Sequence, residues 1–268
     1  MITSTSNARV KRLVNLRKKR RARDEEGVFL VEGIRMFREV PPDKLQEVFV
    51  SESFYKKYKK EKKTVEKVLA GGNVCPELVS DTVFSHISDT KTPQGILCVV
   101  KQMDYTLNRM IQGEQRHLLV LDNLQDPGNL GTIVRTAEGA GVNGIVMSAD
   151  CVDIYNPKTI RSTMGSVYRM PFCYAENLEE AIEKMKEAGI HTYAAHLLGE
   201  NDYDQEDYRT SCAFFIGNEG NGLREEIAQA AQTYVKIPMS GQVESLNAAI
   251  AASVLMFEVR RQRKGLII

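Results

Sequence analysis

Short apolar runs bounded by charged or turn-forming residues recur along this chain and predict its strands. In the first hundred residues they are Val28-Phe29-Leu30-Val31, Glu47-Val48-Phe49-Val50 and Ile96-Leu97-Cys98-Val99-Val100. Helical spacing fills the intervals, around Ile34 to Glu39, Phe54 to Leu69 and Pro76 to Phe84, and a further helix opens after Ser6-Asn7 with Val10, Leu13, Val14 and Leu16 on its apolar side. Residues 101–115 are polar and weakly periodic. A new strand then begins at His117-Leu118-Leu119-Val120-Leu121, and Gly144 to Met147, Thr192 to Ala195, Ala213 to Ile216 and Tyr234 to Ile237 read as further buried strands alternating with helices. That alternation predicts a mostly parallel sheet covered on both faces. The last helix, Ser245 to Arg263, puts Leu246, Ala249, Ile250, Val254 and Phe257 on one stripe. The expected organisation is an α/β chain of two domains, residues 1–104 and 116–268, joined by a linker at 105–115.

Composition narrows the function classes. A chain of 268 residues divides more readily into two modest cores than one. No run is long and apolar enough to cross a bilayer, and the basic, polar N-terminus is unlike a secretory signal, so the expected location is the cytoplasm. Five cysteines stand far apart with no CxxC pair, and four scattered histidines offer no zinc-ligand spacing; neither disulfides nor a metal is expected.

The net charge of +1 conceals a polarised distribution, because residues 1–23 carry nine bases and no acid. Concentrated positive potential of this kind suits a polyanion, which makes Arg9, Lys11, Arg12, Arg17, Lys18, Lys19, Arg20 and Arg21 candidate RNA-binding residues; the competing reading is a solvated terminus. The run from Lys56 to Lys67, seven lysines with two glutamates, reads equally well as a solvated helix face.

Three strand-to-helix loops carry the unusual residues. In Asp122 to Thr136, Gly128 and Gly131 permit close backbone approach, Asn129 is placed to cap the helix, and Arg135 follows nearly two turns in. An anion site and a plain glycine turn are both compatible with that spacing, whereas a dinucleotide fingerprint is excluded by the absence of GxGxxG. The second loop, Gly217-Asn218-Glu219-Gly220-Asn221-Gly222, places three glycines around a carboxylate, more than a turn requires. The third, Ile237-Pro238-Met239-Ser240-Gly241-Gln242-Val243-Glu244-Ser245-Leu246-Asn247, offers Ser245 as a helix N-cap and leaves Asn247 without an obvious packing role.

The order NxGxxxR, GNEGxG, IPMxGxxxSLN resembles the three motifs of the SpoU (TrmH) family of RNA 2′-O-ribose methyltransferases in the SPOUT superfamily. The stretch Ser6 to Lys11 together with Phe29-Leu30-Val31-Glu32-Gly33 is similar to the substrate-binding domain many members carry, a module like certain ribosomal proteins. The resemblance implies a C-terminal trefoil knot, S-adenosylmethionine as cofactor, a homodimer through the C-terminal domain, and an RNA substrate, large-subunit rRNA in preference to tRNA. A non-catalytic rRNA-binding or assembly factor is the rival class. Carried over motif by motif, Asn129, Arg135, Glu219, Ser245 and Asn247 form the implied catalytic set. Gly217, Asn218, Ile237, Met239, Leu246 and the turn at Ala195, His196 and Leu197 form the implied cofactor wall. Because a guanidinium does not deprotonate in proteins, Arg135 is expected to hold phosphate and developing oxyanion charge, with Glu219 orienting it.

Overall fold

A computed structural model describes residues 1–58 and 74–264 of the chain. It divides into two compact units, one made of Met1–Met103 with Asp153–Tyr168, the other of Asp104–Val152 with Arg169–Ile268.

In the first unit, strands β1 (Val28–Glu32), β2 (Leu45–Ser51), β3 (Glu77–Val79) and β4 (Ile96–Lys101) form a sheet of order β1-β4-β2-β3. The pairs β1/β4 and β2/β4 are antiparallel and β2/β3 is parallel. Strand alternation explains why both faces are covered. Val28 and Leu30 pack with Leu97, Val99 and Phe49 against Val10, Leu13, Leu16, Val83, Phe84 and Ile87 of helices Ala8–Lys18 and Asp81–Ile87. Phe29, on the opposite face, stacks on Tyr155 of the 153–168 segment, with ring centroids 4.5 Å apart. The Tyr155 hydroxyl also accepts the Met103 amide at 2.8 Å. Sixteen residues that the sequence assigns to the C-terminal half therefore complete the core of the first unit.

The basic N-terminal stretch is two helices. Asn7 caps Ala8–Lys18 by accepting the Arg9 amide at 2.9 Å; Lys19 is extended, and Arg20–Glu26 follows. Arg23 folds back from the second helix to donate to the carbonyls of Leu16 and Arg17 and to the carboxylate of Asp153, both charges being buried. Over Pro76 to Phe84, where a helix was expected, β3 comes first and the helix starts only at Asp81, because Ser80 caps it by accepting the Val83 amide at 3.3 Å. The helix expected from Phe54 to Leu69 is seen from Glu52 to Tyr58; its remainder, with most of the lysine run, lies outside the described residues.

In the second unit, strands β5 (His117–Leu121), β6 (Gly144–Ser148), β7 (Phe172–Ala175), β8 (His191–Ala195), β9 (Asn201–Asp202), β10 (Cys212–Ile216) and β11 (Thr233–Lys236) form one sheet. Its order is β7-β6-β5-β10-β8-β11-β9 and every pairing is parallel. β5, β6 and β10 are buried along their whole length, which is what their uninterrupted apolar runs require. The stretch read as a linker is packed: Met110 of helix Leu107–Ile111 joins the core beside Leu118, Ile182 and Met185. The final helix runs Ala248–Arg263, and its core face is Ala248, Ala249, Ala252, Leu255, Met256 and Val259. Ile250 and Phe257, expected on the core stripe, are exposed. Small residues win that face because the helix lies against helix Pro127–Ala140, which buries Gly131 and Ala137 in turn.

His117, at the start of β5, is fully buried, and its Nε2 has no hydrogen-bond partner among the described residues. Burial, reinforced by the charge of Arg263, pushes its pKa down to about 3. The imidazole is thus neutral in the native state, whereas in the unfolded chain it takes up a proton near the ordinary value of about 6.5. Its contribution to stability is intact above that value and is lost as pH falls from about 6.5 toward about 3, by up to roughly 1.4 kcal/mol per pH unit. His117→Phe is expected to flatten this part of the pH–stability profile, measured by urea unfolding at a series of pH values.

Candidate functional site

The carboxyl ends of β5, β10, β8 and β11, neighbours in the sheet, carry the loops 122–126, 217–224, 196–200 and 237–247. Between β5 and β10 the strand order reverses, the place where open parallel sheets gather ligands.

In the first loop Asp126, rather than Asn129, is the N-cap of helix Pro127–Ala140; it accepts the Asn129 amide at 2.8 Å, and Pro127 suits the first helical position. The Asn129 side chain is thereby released for another task. Its Nδ2 donates to Glu219 Oε1 at 2.9 Å, and Glu219 also accepts the backbone amides of Asp126 at 3.0 Å and Gln125 at 3.1 Å. Partial burial opposes ionisation of Glu219, but the bond from Asn129 and the two amides outweigh it and hold the carboxyl below its usual range. In the third loop Asn247 takes the capping role expected of Ser245, accepting the Ala249 amide at 2.9 Å. Its Nδ2 donates to Asn129 Oδ1 at 3.1 Å. One hydrogen-bonded chain, Glu219–Asn129–Asn247, therefore joins the three motif loops.

Asn218 shapes the second loop. Its side chain accepts the amides of Gly220 at 2.9 Å and Asn221 at 3.2 Å, and donates to the carbonyl of Asn123 at 2.8 Å. Two of the three glycines answer to this turn: a Cβ on Gly217 would sit 2.1 Å from the carbonyl carbon of Gly222, and Gly222 has φ +72°. Gly220 answers to no such constraint.

The loops surround a cleft of about 370 Å³. All eight residues expected to hold cofactor, Ala195, His196, Leu197, Gly217, Asn218, Ile237, Met239 and Leu246, line it, as do Glu219 and Ser245. Asn129 and Asn247 do not line it; Asn129 is tied to the lining residue Glu219, and Asn247 to Asn129. Arg135 does not line it. It stands on the exposed side of its helix with Thr132 and Gly139, roughly 9 Å along the axis from Asn129, and has no hydrogen-bond or ion-pair partner among the described residues. Among the described residues Glu219 is held by Asn129 and two backbone amides and not by Arg135, which stands nearly two turns further along the helix.

Sequence reasoning missed a second brace. Arg224, N-cap of helix Glu225–Gln229, clasps the fully buried Asp122 through Nε at 2.8 Å and through Nη2, while its amide donates to the other carboxylate oxygen at 2.9 Å. An arginine directly after a glycine loop was the available signal, but its partner lies 102 residues away.

The candidate RNA-binding bases divide sharply. Arg9 pairs with Glu47 and Glu77, both at 2.8 Å, and Arg12 with Glu47 and Glu26. Arg17 donates to the carbonyls of His86 and Ser88. Arg20 and Arg21 pair with Asp24 and Glu25 one turn on. Lys11, Lys18 and Lys19 are exposed and have no partner among the described residues.

Comparison with known proteins adds to this geometry. The model of the SpoU rRNA Methylase family matches residues 116–257, and that of an MRM3-like substrate binding domain matches residues 7–98. The chain is 31% identical to the 23S rRNA (guanosine(2553)-2′-O)-methyltransferase RlmP of Bacillus subtilis, over 97% of this chain and 98% of that one. Among solved structures it is similar to an AdoMet-bound rRNA methyltransferase from Sinorhizobium meliloti, at 32% identity and TM-score 0.85 over 97% of both chains. It is also similar to the SpoU methyltransferase AviRb from Streptomyces viridochromogenes in complex with AdoMet, at 26% identity and TM-score 0.86, covering 96% of this chain and 98% of that one.

Proposed function

Because this chain belongs to the SpoU rRNA methylase family, it is an S-adenosylmethionine-dependent RNA 2′-O-ribose methyltransferase, and we propose that its substrate is large-subunit rRNA. The observation that carries the site assignment is the Glu219–Asn129–Asn247 chain, which gathers three distant segments at the rim of one cleft.

The cleft fits the cofactor. Its volume falls in the range of small-molecule sites, Ile216, Ile237, Met239 and Leu246 give apolar walls for a purine and an aliphatic chain, and Glu219 with Glu244 supplies negative charge for a sulfonium and an ammonium. When bound, S-adenosylmethionine supplies an electrophilic methyl group. Ala195, His196, Leu197, Gly217, Asn218, Ile237, Met239 and Leu246 are the residues that hold it. Glu219, satisfied by three donors and kept ionised, acts as a fixed anchor and not as a proton acceptor. Asn129, Ser245 and Asn247 position the ribose, and Arg135 holds a phosphate and stabilises charge developing on the 2′-oxygen.

Arg135 stands on the exposed side of helix Pro127–Ala140 without a partner among the described residues, and that helix packs on the helix that exposes Ile250 and Phe257. Both features support a homodimer in which these apolar side chains are covered by a second copy and Arg135 serves the partner's cleft. A knotted C-terminal domain also belongs to this reading. Its support is that β8 and β9 flank β11 at the same level, so that the 196–200 connection crosses β11; a Cβ on Gly199 would lie 2.7 Å from the Val235 backbone.

The substrate class follows from the first unit, whose match to a substrate binding domain accompanies relatives named for rRNA. Incubation with labelled S-adenosylmethionine and deproteinised rRNA or tRNA tests it. Label is expected in large-subunit rRNA, and label confined to tRNA would reverse the assignment.

A further inference from the structure

Three segments far apart in sequence meet in the first unit around one exposed loop, residues 88–95. Arg17 ties the C-terminal end of helix Ala8–Lys18 to it, donating to the carbonyls of His86 at 3.0 Å and of Ser88. Glu32 grips its first three residues, accepting the Ser88 hydroxyl at 2.8 Å, the Thr90 hydroxyl at 2.9 Å and the Asp89 amide at 3.3 Å. Gln94 Oε1 accepts the Ile34 amide at 3.1 Å and holds the far end. Arg161, from helix Pro157–Thr163, donates to Asp89 at 2.7 Å, and a shallow pit of about 20 Å³ is lined by Arg17, Glu32, Asp89 and Arg161 together.

These restraints bury little. Lys91 and Thr92 between them are exposed, and neither Lys91 nor Lys18 has an ion-pair partner among the described residues. Glu32, though hydrogen-bonded to hydroxyls and an amide, keeps its charge, so Glu32 and Asp89 offset two of the four bases Arg17, Lys18, Lys91 and Arg161 and leave two in surplus. Rigid presentation of surplus positive charge on an exposed loop is what contact with a polyanion backbone requires, and an arginine held through a single Nη keeps further donors for phosphate. The other end of the same helix contrasts with this one, for there Arg9 and Arg12 are absorbed by Glu47, Glu77 and Glu26.

We propose that Lys18, Lys91 and Arg161 form the phosphate-binding surface of the first unit, so that RNA is held in part by a residue the chain supplies from its C-terminal half. The inference rests on the RNA methyltransferase reading and names where that substrate is gripped. The test is filter binding of labelled, deproteinised large-subunit rRNA across a salt series, with methyl transfer to the same RNA measured in parallel. Lys91→Ala and Arg161→Ala are each expected to weaken binding roughly three- to ten-fold and to reduce the salt slope by about 0.7–0.9. Lys91 is exposed and has no side-chain hydrogen bond or ion pair among the described residues to lose, which separates binding from stability. Asp89→Asn removes the partner of Arg161 while sparing its charge, and binding is expected to hold or tighten. Wild-type affinity and slope in both alanine variants, with the wild-type chain still methylating the RNA, would overturn the surface assignment alone. A drop in Asp89→Asn equal to that of Arg161→Ala would also overturn it, by making the arginine a structural partner. A wild-type chain that transfers no methyl to RNA would instead overturn the reading beneath it.

Discussion

Arg135→Ala is expected to lower the rate of methyl transfer by at least about 100-fold while S-adenosylmethionine binding and thermal stability stay at wild-type levels. The stability expectation follows from exposure, since a surface side chain without a partner has little to lose on truncation. The activity expectation follows from chemistry. A ribose hydroxyl becomes a nucleophile only as its oxygen gains negative charge, and the other groups brought to the cleft by the motif loops are amides, a hydroxyl and the carboxylates of Glu219 and Glu244, none of which supplies positive charge for that oxygen. Arg135→Lys should recover part of the rate, because it keeps the charge and loses the planar fork. If the residue serves the partner's site, mixing Arg135→Ala with Asn129→Ala subunits should regenerate activity that neither variant has alone. Full activity in the alanine variant would remove Arg135 from the mechanism.

Arg23→Met is expected to destabilise the protein by about 3–5 kcal/mol in chemical unfolding, a large share of the stability of an ordinary domain. The cause is the buried Asp153, which would be left charged and without its guanidinium, while the last turn of helix Ala8–Lys18 loses the donor to two carbonyls. Arg23→Met with Asp153→Leu should recover much of the loss, since replacing a whole buried pair costs far less than breaking it. A double variant no more stable than the single one would show that the pair is not where the energy resides.

The sequence was most legible where burial is complete. β5 and β10 are uninterrupted apolar runs, and the reading placed both within a residue of their observed limits. The edge strands were not legible: β9 has two residues, and β7, Phe-Cys-Tyr-Ala, is mostly half-buried, so neither imposes a pattern on the chain. Segment 153–168 shows another limit. Ile154, Tyr155, Ile160, Val167 and Tyr168 are buried, but hydrophobicity does not say which core such residues enter; Arg23 and the ring of Phe29 decide that.

At the site, residue types and order were legible, and the hydrogen-bond partners were not. Asn129 and Ser245 were both read as helix caps, yet Asp126 and Asn247 hold those positions, since a cap depends on where the first helical turn closes and several nearby polar residues compete for it. With the caps reassigned, the Asn129 side chain is released to bridge Glu219 and Asn247. The face of the final helix was misread for a different reason. Alanine contributes weakly to an apolar stripe, but close approach to a glycine- and alanine-bearing helix selects it.

The central claim is that the methyl group reaches a ribose 2′-oxygen, and alkaline hydrolysis tests it most directly. RNA labelled by this protein from S-adenosylmethionine would be digested with alkali and the fragments separated by charge. A methylated 2′-oxygen cannot attack its own phosphate, so the account predicts that the label is recovered in alkali-resistant dinucleotides. Label recovered in mononucleotides would place the methyl group on a base and contradict it.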